Sequence, residues 1–88
     1  MLTLEPARAT VRGYAFSFTR PTLLDLVEAI DASAQGVAHG RAWALHRHTR
    51  DAEGVAVFPS IDAAMQCPAA LAAGLSNEIE RLYNEGRD

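Results

Sequence analysis

The sequence predicts one α+β domain spanning residues 1–88, mostly helical, with an N-terminal β-hairpin, about four helices and a short strand near residues 55–58. Three observations carry this. Residues 14–19 alternate large apolar and small side chains, the period of two that marks a half-buried strand. Later segments repeat apolar residues at three- and four-residue spacing, the period of an amphipathic helix. Gly and Pro residues punctuate the chain between these runs, and a chain of 88 residues has room for only one core.

The hairpin comes first. Thr10-Val11 lead into Arg12-Gly13, and Gly13 supplies the permissive backbone that a tight turn needs. Tyr14, Phe16 and Phe18 then share one face of the returning strand, while Ala15, Ser17 and Thr19 share the other. Leu2 and Leu4 extend the alternation backwards, with Pro6 limiting that strand to a sheet edge.

The first helix starts at Pro21-Thr22. Thr22 is placed to cap it, and Asp25 follows three residues on, close to a capping box. Leu23, Val27 and Ile30 form an apolar stripe, widened by Leu24 and Leu26. Asp25, Glu28 and Asp31 fall on a different side as a short acidic face, either simply solvated or able to steer a basic partner. A second helix is expected over Val37–Arg50, weakened at its start by Gly36 and Gly40. Ala38, Ala42 and Leu45 line one side of it. Trp43 and Arg47 stand four apart, at stacking distance on a helix. Arg47, His48 and Arg50 sit near its C-terminus, where the helix dipole favours positive charge.

Asp51-Ala52-Glu53-Gly54 is the clearest turn. Val55–Phe58 reads as a short extended run ending at Pro59. Ser60 caps a short helix over Ile61–Cys67, stopped by Pro68. The last helix runs from about Ala69 to Asn84 on a stripe of Leu71, Leu75, Ile79 and Leu82, flanked by Tyr83, with Gly86 as its stop signal. The first few residues, Gly36–Gly40 and the last three residues are the stretches expected to fray.

Composition narrows function. Eleven acidic and eight basic residues leave a net charge of −3, against the basic excess of a nucleic-acid binder. The single cysteine, Cys67, excludes an internal disulfide and a cysteine-based zinc site. Residues 1–6 lack the basic start of a signal peptide, and no apolar core follows. The longest apolar-rich stretch, near Pro68–Leu75, is too short to span a bilayer, so a cytoplasmic location is expected.

No catalytic set emerges. His39 and His46 are seven apart and share a helical face, whereas His48, two from His46, points elsewhere. No carboxylate or cysteine completes a metal set with them. Cys67, between Gln66 and Pro68, has no base or cation close in sequence and reads as a small buried hydrophobe. Ser60 reads as a cap. Glu78 and Glu80 are two apart, which separates them on a helix and argues against paired acid–base work. The chain is therefore read as a non-enzyme with no cofactor or metal. Trp, Tyr and Arg anchor interfaces, so Trp43, Arg47, Tyr14, Phe16, Phe18, Phe58 and Tyr83 form the candidate protein-binding set. For Trp43 a place in the core is an equally physical reading, and for Phe16 and Phe18 the core is the favoured one.

Three segments together resemble the phage tail assembly chaperones. The first is Thr10–Thr22, a hairpin leading into a Leu-rich helix. The second is Ala42–Phe58, a helix with an aromatic residue, a D-x-x-G turn and an extended run ending in Phe. The third is a short helix followed by Ile79-Glu-Arg-Leu-Tyr-Asn84. The resemblance implies a protein that binds tape measure or tail tube protein, or both, during virion tail assembly in the cytoplasm of the bacterial host. An apolar or aromatic groove would shield the client's apolar helices, helped by self-association into a homo-oligomer. Nucleic acid and membrane are not among the partners it implies. The short length motivates a second reading, a regulatory binder that blocks tail assembly of competing phages or relieves such a block. A third reading, a small metal-binding or enzymatic domain, rests on His39, His46 and His48.

Overall fold

A computed structural model describes residues 5–85. The elements are β1 (Ala7–Val11), β2 (Tyr14–Phe18), α1 (Leu23–Ser33), α2 (Val37–His48), β3 (Thr49–Asp51), α3 (Ile61–Met65) and α4 (Ala69–Asn84). The fold is α+β and mostly helical, with the hairpin at the front. Leu2, Leu4 and Gly86, which the sequence assigns to a strand extension and a helix stop, lie outside the described residues.

The hairpin register runs from Ala7 opposite Phe18 to Val11 opposite Tyr14. Its two turn residues, Arg12 and Gly13, have φ of 50° and 85°. Positive φ at both positions is the turn whose twist matches that of the flanking strands. Gly13 adopts it freely, whereas Arg12 does so against its own Cβ.

The third strand is not where the sequence places it. The second helix stops at His48 instead of running to Arg50, and Thr49–Asp51 turns extended to pair antiparallel with Phe16–Phe18. Nothing local ends the helix there. The gain is tertiary, because β2 would otherwise leave one edge of backbone groups unpaired beside the core. Ser17, buried on β2, adds a hydrogen bond from its hydroxyl to the Asp51 carbonyl at 2.8 Å. Residues 55–58 contribute only a single bridge, Ala56 opposite Arg50. The Asp51 carboxylate accepts the amides of Glu53 and Val55 at 2.9 and 3.0 Å, which curls the chain back too tightly for a longer ladder. Pro59 then removes the next donor.

The expected weak start of α2 has a different purpose. A Cβ on Gly40 would lie 2.5 Å from Ser33 Oγ and 3.1 Å from its Cα, so glycine lets α1 and α2 approach closely at this point. The core lies between the sheet and α2, α3 and α4. Val11 and Phe18 from the sheet meet Ala42 and Leu45 of α2, Phe58, Ala64 of α3, and Leu75, Ile79 and Leu82 of α4. The stripe on α4 thus faces inward as its spacing predicts, and Ser60 caps α3 by accepting the Ala63 amide at 3.0 Å.

Candidate protein-binding surface

Helix α1 is built the other way round. Its start is a complete capping box: Thr22 Oγ1 accepts the Asp25 amide at 3.2 Å, and Asp25 Oδ2 accepts the Thr22 amide at 3.0 Å. The second oxygen of the same carboxylate accepts Arg47 Nε at 2.9 Å. Asp25 is 1% exposed, so it is not part of a solvated acidic face. One buried carboxylate both starts α1 and clamps it to α2. Asp25, Ala29 and Ala32 share one side of the helix, and the two alanines are small enough for close helix approach. The inward face of α1 is therefore small and polar. Its large apolar residues point out: Leu23 is 78% exposed and Ile30 64%, with Leu24, Leu26 and Val27 between 44% and 64%.

The clamp continues behind α1 as a buried polar layer. Arg47 is committed to Asp25, and the Trp43 ring instead meets His48 edge-on at 5.8 Å, in place of the Trp43–Arg47 stack that sequence spacing suggested. His48 is fully buried and meets the Tyr83 ring edge-on at 5.4 Å. His48 Nδ1 lies 3.0 Å from the Thr19 carbonyl and 2.9 Å from Thr19 Oγ1, and its Nε2 lies 2.7 Å from the Tyr83 hydroxyl. A carbonyl only accepts, so Nδ1 carries the proton and Nε2 accepts from Tyr83. This network joins the end of β2, α2 and α4.

Burial holds the His48 pKa below its usual 6.5, with the Asp25 charge opposing and Arg47 reinforcing the shift. Burial also raises the Tyr83 phenol, and here the Asp25 charge acts in the same direction. Because the folded state keeps His48 neutral, the unfolded chain binds its proton more readily. Stability should be full above about pH 6.5 and fall as the pH drops from there toward the lower folded value, at up to about 1.4 kcal/mol per pH unit. Urea titrations at pH 7.5 and 5.5 check this. A His48→Gln chain should be less stable at pH 7.5 but lose less between the two pH values than the parent does.

The candidate residues taken from the sequence divide into three groups. Phe18, Phe58 and Trp43 are core. Arg47 and Tyr83 belong to the clamp and its buried layer. Tyr14 and the half-buried Phe16 line a shallow apolar pocket of about 460 Å³ with Arg12, Leu71 and the edge of Phe58. The sequence reading missed Leu23, Leu24, Leu26, Val27 and Ile30 as a surface. Its available signal was the capping acid itself: Asp25 lies on the same side as Ala29 and Ala32, a set that suits a close helix contact.

Beside this face lies an open groove of about 570 Å³ between α1, α2 and α4, floored by Ala29, Ala44 and Ile79 and flanked by Leu26, Val37 and Tyr83. The histidines do not converge. His46 Nδ1 donates to the Phe58 carbonyl at 2.8 Å, His48 is spent in the buried layer, and no metal-binding group of three occurs among the described residues. Cys67 packs partly against the core, and burial pushes its thiol up, away from reactivity. No helix among the described residues is long and apolar enough to cross a membrane. Comparison with protein-family models, curated proteins and solved structures finds no match to this chain.

Proposed function

We propose that this protein is a small binding module of the tail-assembly-chaperone kind, holding a phage tape measure or tail tube protein until the tail assembles, and acting by binding rather than catalysis. The observation that carries the binding reading is the outward apolar face of α1. Five large aliphatic residues on one exposed helix, with an aspartate buried beneath it, make the kind of apolar patch that marks an interaction surface. The family assignment is supported by the three sequence segments that resemble these chaperones, Thr10–Thr22, Ala42–Phe58 and Ile79–Asn84. Clients of that class carry long apolar helices, and a helix laid on a helical face and its adjoining groove is a recurrent recognition mode.

Co-expression with the tape measure and tail tube proteins encoded by the same phage tests the proposal. One of them should co-purify with the chain and stay in solution only in its presence. If both remain insoluble and unbound, the reading is wrong.

A further inference from the structure

The chemistry of the surface narrows what covers it. Leu23, Val27 and Ile30 follow the i, i+4, i+7 spacing of a helix-packing seam, and Leu26 carries the apolar surface toward the groove. Glu28 and Asp31 stand on the outer part of the same helix, and neither forms an ion pair among the described residues. Asp25, the third acid of α1, is already neutralised by Arg47. The helix, Leu-Leu-Asp-Leu-Val-Glu-Ala-Ile-Asp-Ala-Ser, contains no basic residue. The groove itself is balanced by Arg41 and Glu80, so the excess charge along the seam is negative and comes from α1.

We infer that the α1 seam receives an amphipathic helix whose apolar stripe is flanked by Lys or Arg, an inference that names the client chemistry and rests on the binding reading above. Two other occupants fit less well. A second copy packed α1 on α1 would set Glu28 and Asp31 of both chains along one seam, where like charges repel. An anionic membrane surface repels the same carboxylates, whereas surface-lying helices bring basic flanks to it. A basic flank converts both exposed carboxylates into cross-interface pairs, and these govern partner choice and encounter rate more than raw affinity.

The test uses the full chain and two synthetic helical peptides with the same leucine stripe, one flanked by lysine and one by glutamate, read by fluorescence anisotropy. The lysine peptide should bind at least about tenfold tighter than the glutamate peptide, and its affinity should fall with added salt. Val27→Glu should weaken it by about tenfold or more, with an unchanged circular dichroism spectrum because Val27 is exposed. The Glu28→Gln, Asp31→Asn double variant should lose the preference between peptides and most of the salt dependence. Equal binding of both peptides, or binding indifferent to Val27→Glu, overturns the inference. So does a dimer in sedimentation that Val27→Glu converts to monomer, since the seam then belongs to a second copy. A tail protein that co-purifies equally well with the Val27→Glu chain would leave the proposed function standing and refute this surface. A lysine peptide bound through Val27 with no tail protein captured would do the reverse.

Discussion

An Arg47→Ala chain should lose about 3 kcal/mol of stability, with α1 the first element to come free. The arginine itself contributes modestly, because its side chain is 38% exposed and water already screens part of the pair. The cost comes from what remains. Asp25 would be left as a buried carboxylate with only the Thr22 amide to satisfy it, and an uncompensated buried charge is the expensive half of a broken pair. An Asp25→Asn change on top should recover part of the loss, since the amide carries no charge and still fills the site. Urea denaturation of the two single variants and the double gives the coupling directly. A native-state hydrogen-exchange profile should show α1 losing protection before α4 does. If Arg47→Ala costs under about 0.5 kcal/mol, the clamp is not what holds α1 in place.

Phe18→Ala should cost about 3–5 kcal/mol, a large share of what a domain of this size holds. Phe18 is 1% exposed on the central strand, packed beside Phe16 with ring centroids 6.5 Å apart and facing the helices. Truncation removes the whole phenyl ring from a small core, and the surrounding strand, hydrogen-bonded on both edges, cannot collapse into the space. The informative comparison is Leu23→Ala. On apolar content alone the two deletions look similar, yet Leu23 is exposed and its loss should stay within about 0.5 kcal/mol. Chemical denaturation of both variants separates core from display surface. A Leu23→Ala cost near that of Phe18→Ala would mean that α1 buries its stripe.

Much of the architecture was legible in the chain. The period-two run at Tyr14–Phe18, the Arg12-Gly13 turn, the Thr22 and Ser60 caps and the α4 stripe each follow from interactions within a few residues. Such signals survive without knowledge of the rest of the fold. The boundary between α2 and β3 did not, because helix and strand are both open to residues 49–51 locally. The choice falls to the strand because β2 lies alongside and offers a ladder. The candidate site was legible only in part. The aromatic residues singled out from the sequence lie mostly in the core or the buried polar layer, and the apolar stripe of α1 was recognised as a stripe but not as an exposed face.

What the sequence by itself determined is the set of elements that depend on local chemistry: the hairpin, the caps, the turn at residues 51–54 and the helical periods. What only the tertiary structure decided is which way each amphipathic helix faces. Hydrophobic periodicity finds a stripe but not its neighbour, and burial of a stripe is only the usual outcome. In α4 the stripe meets the sheet and is buried. In α1 the capping aspartate finds Arg47 on α2, Gly40 admits close approach over the small side of the helix, and the leucines are left facing outward. The charged clamp and the tight glycine contact fix which side of α1 meets α2, and neither can be read from the hydrophobic period of α1 alone.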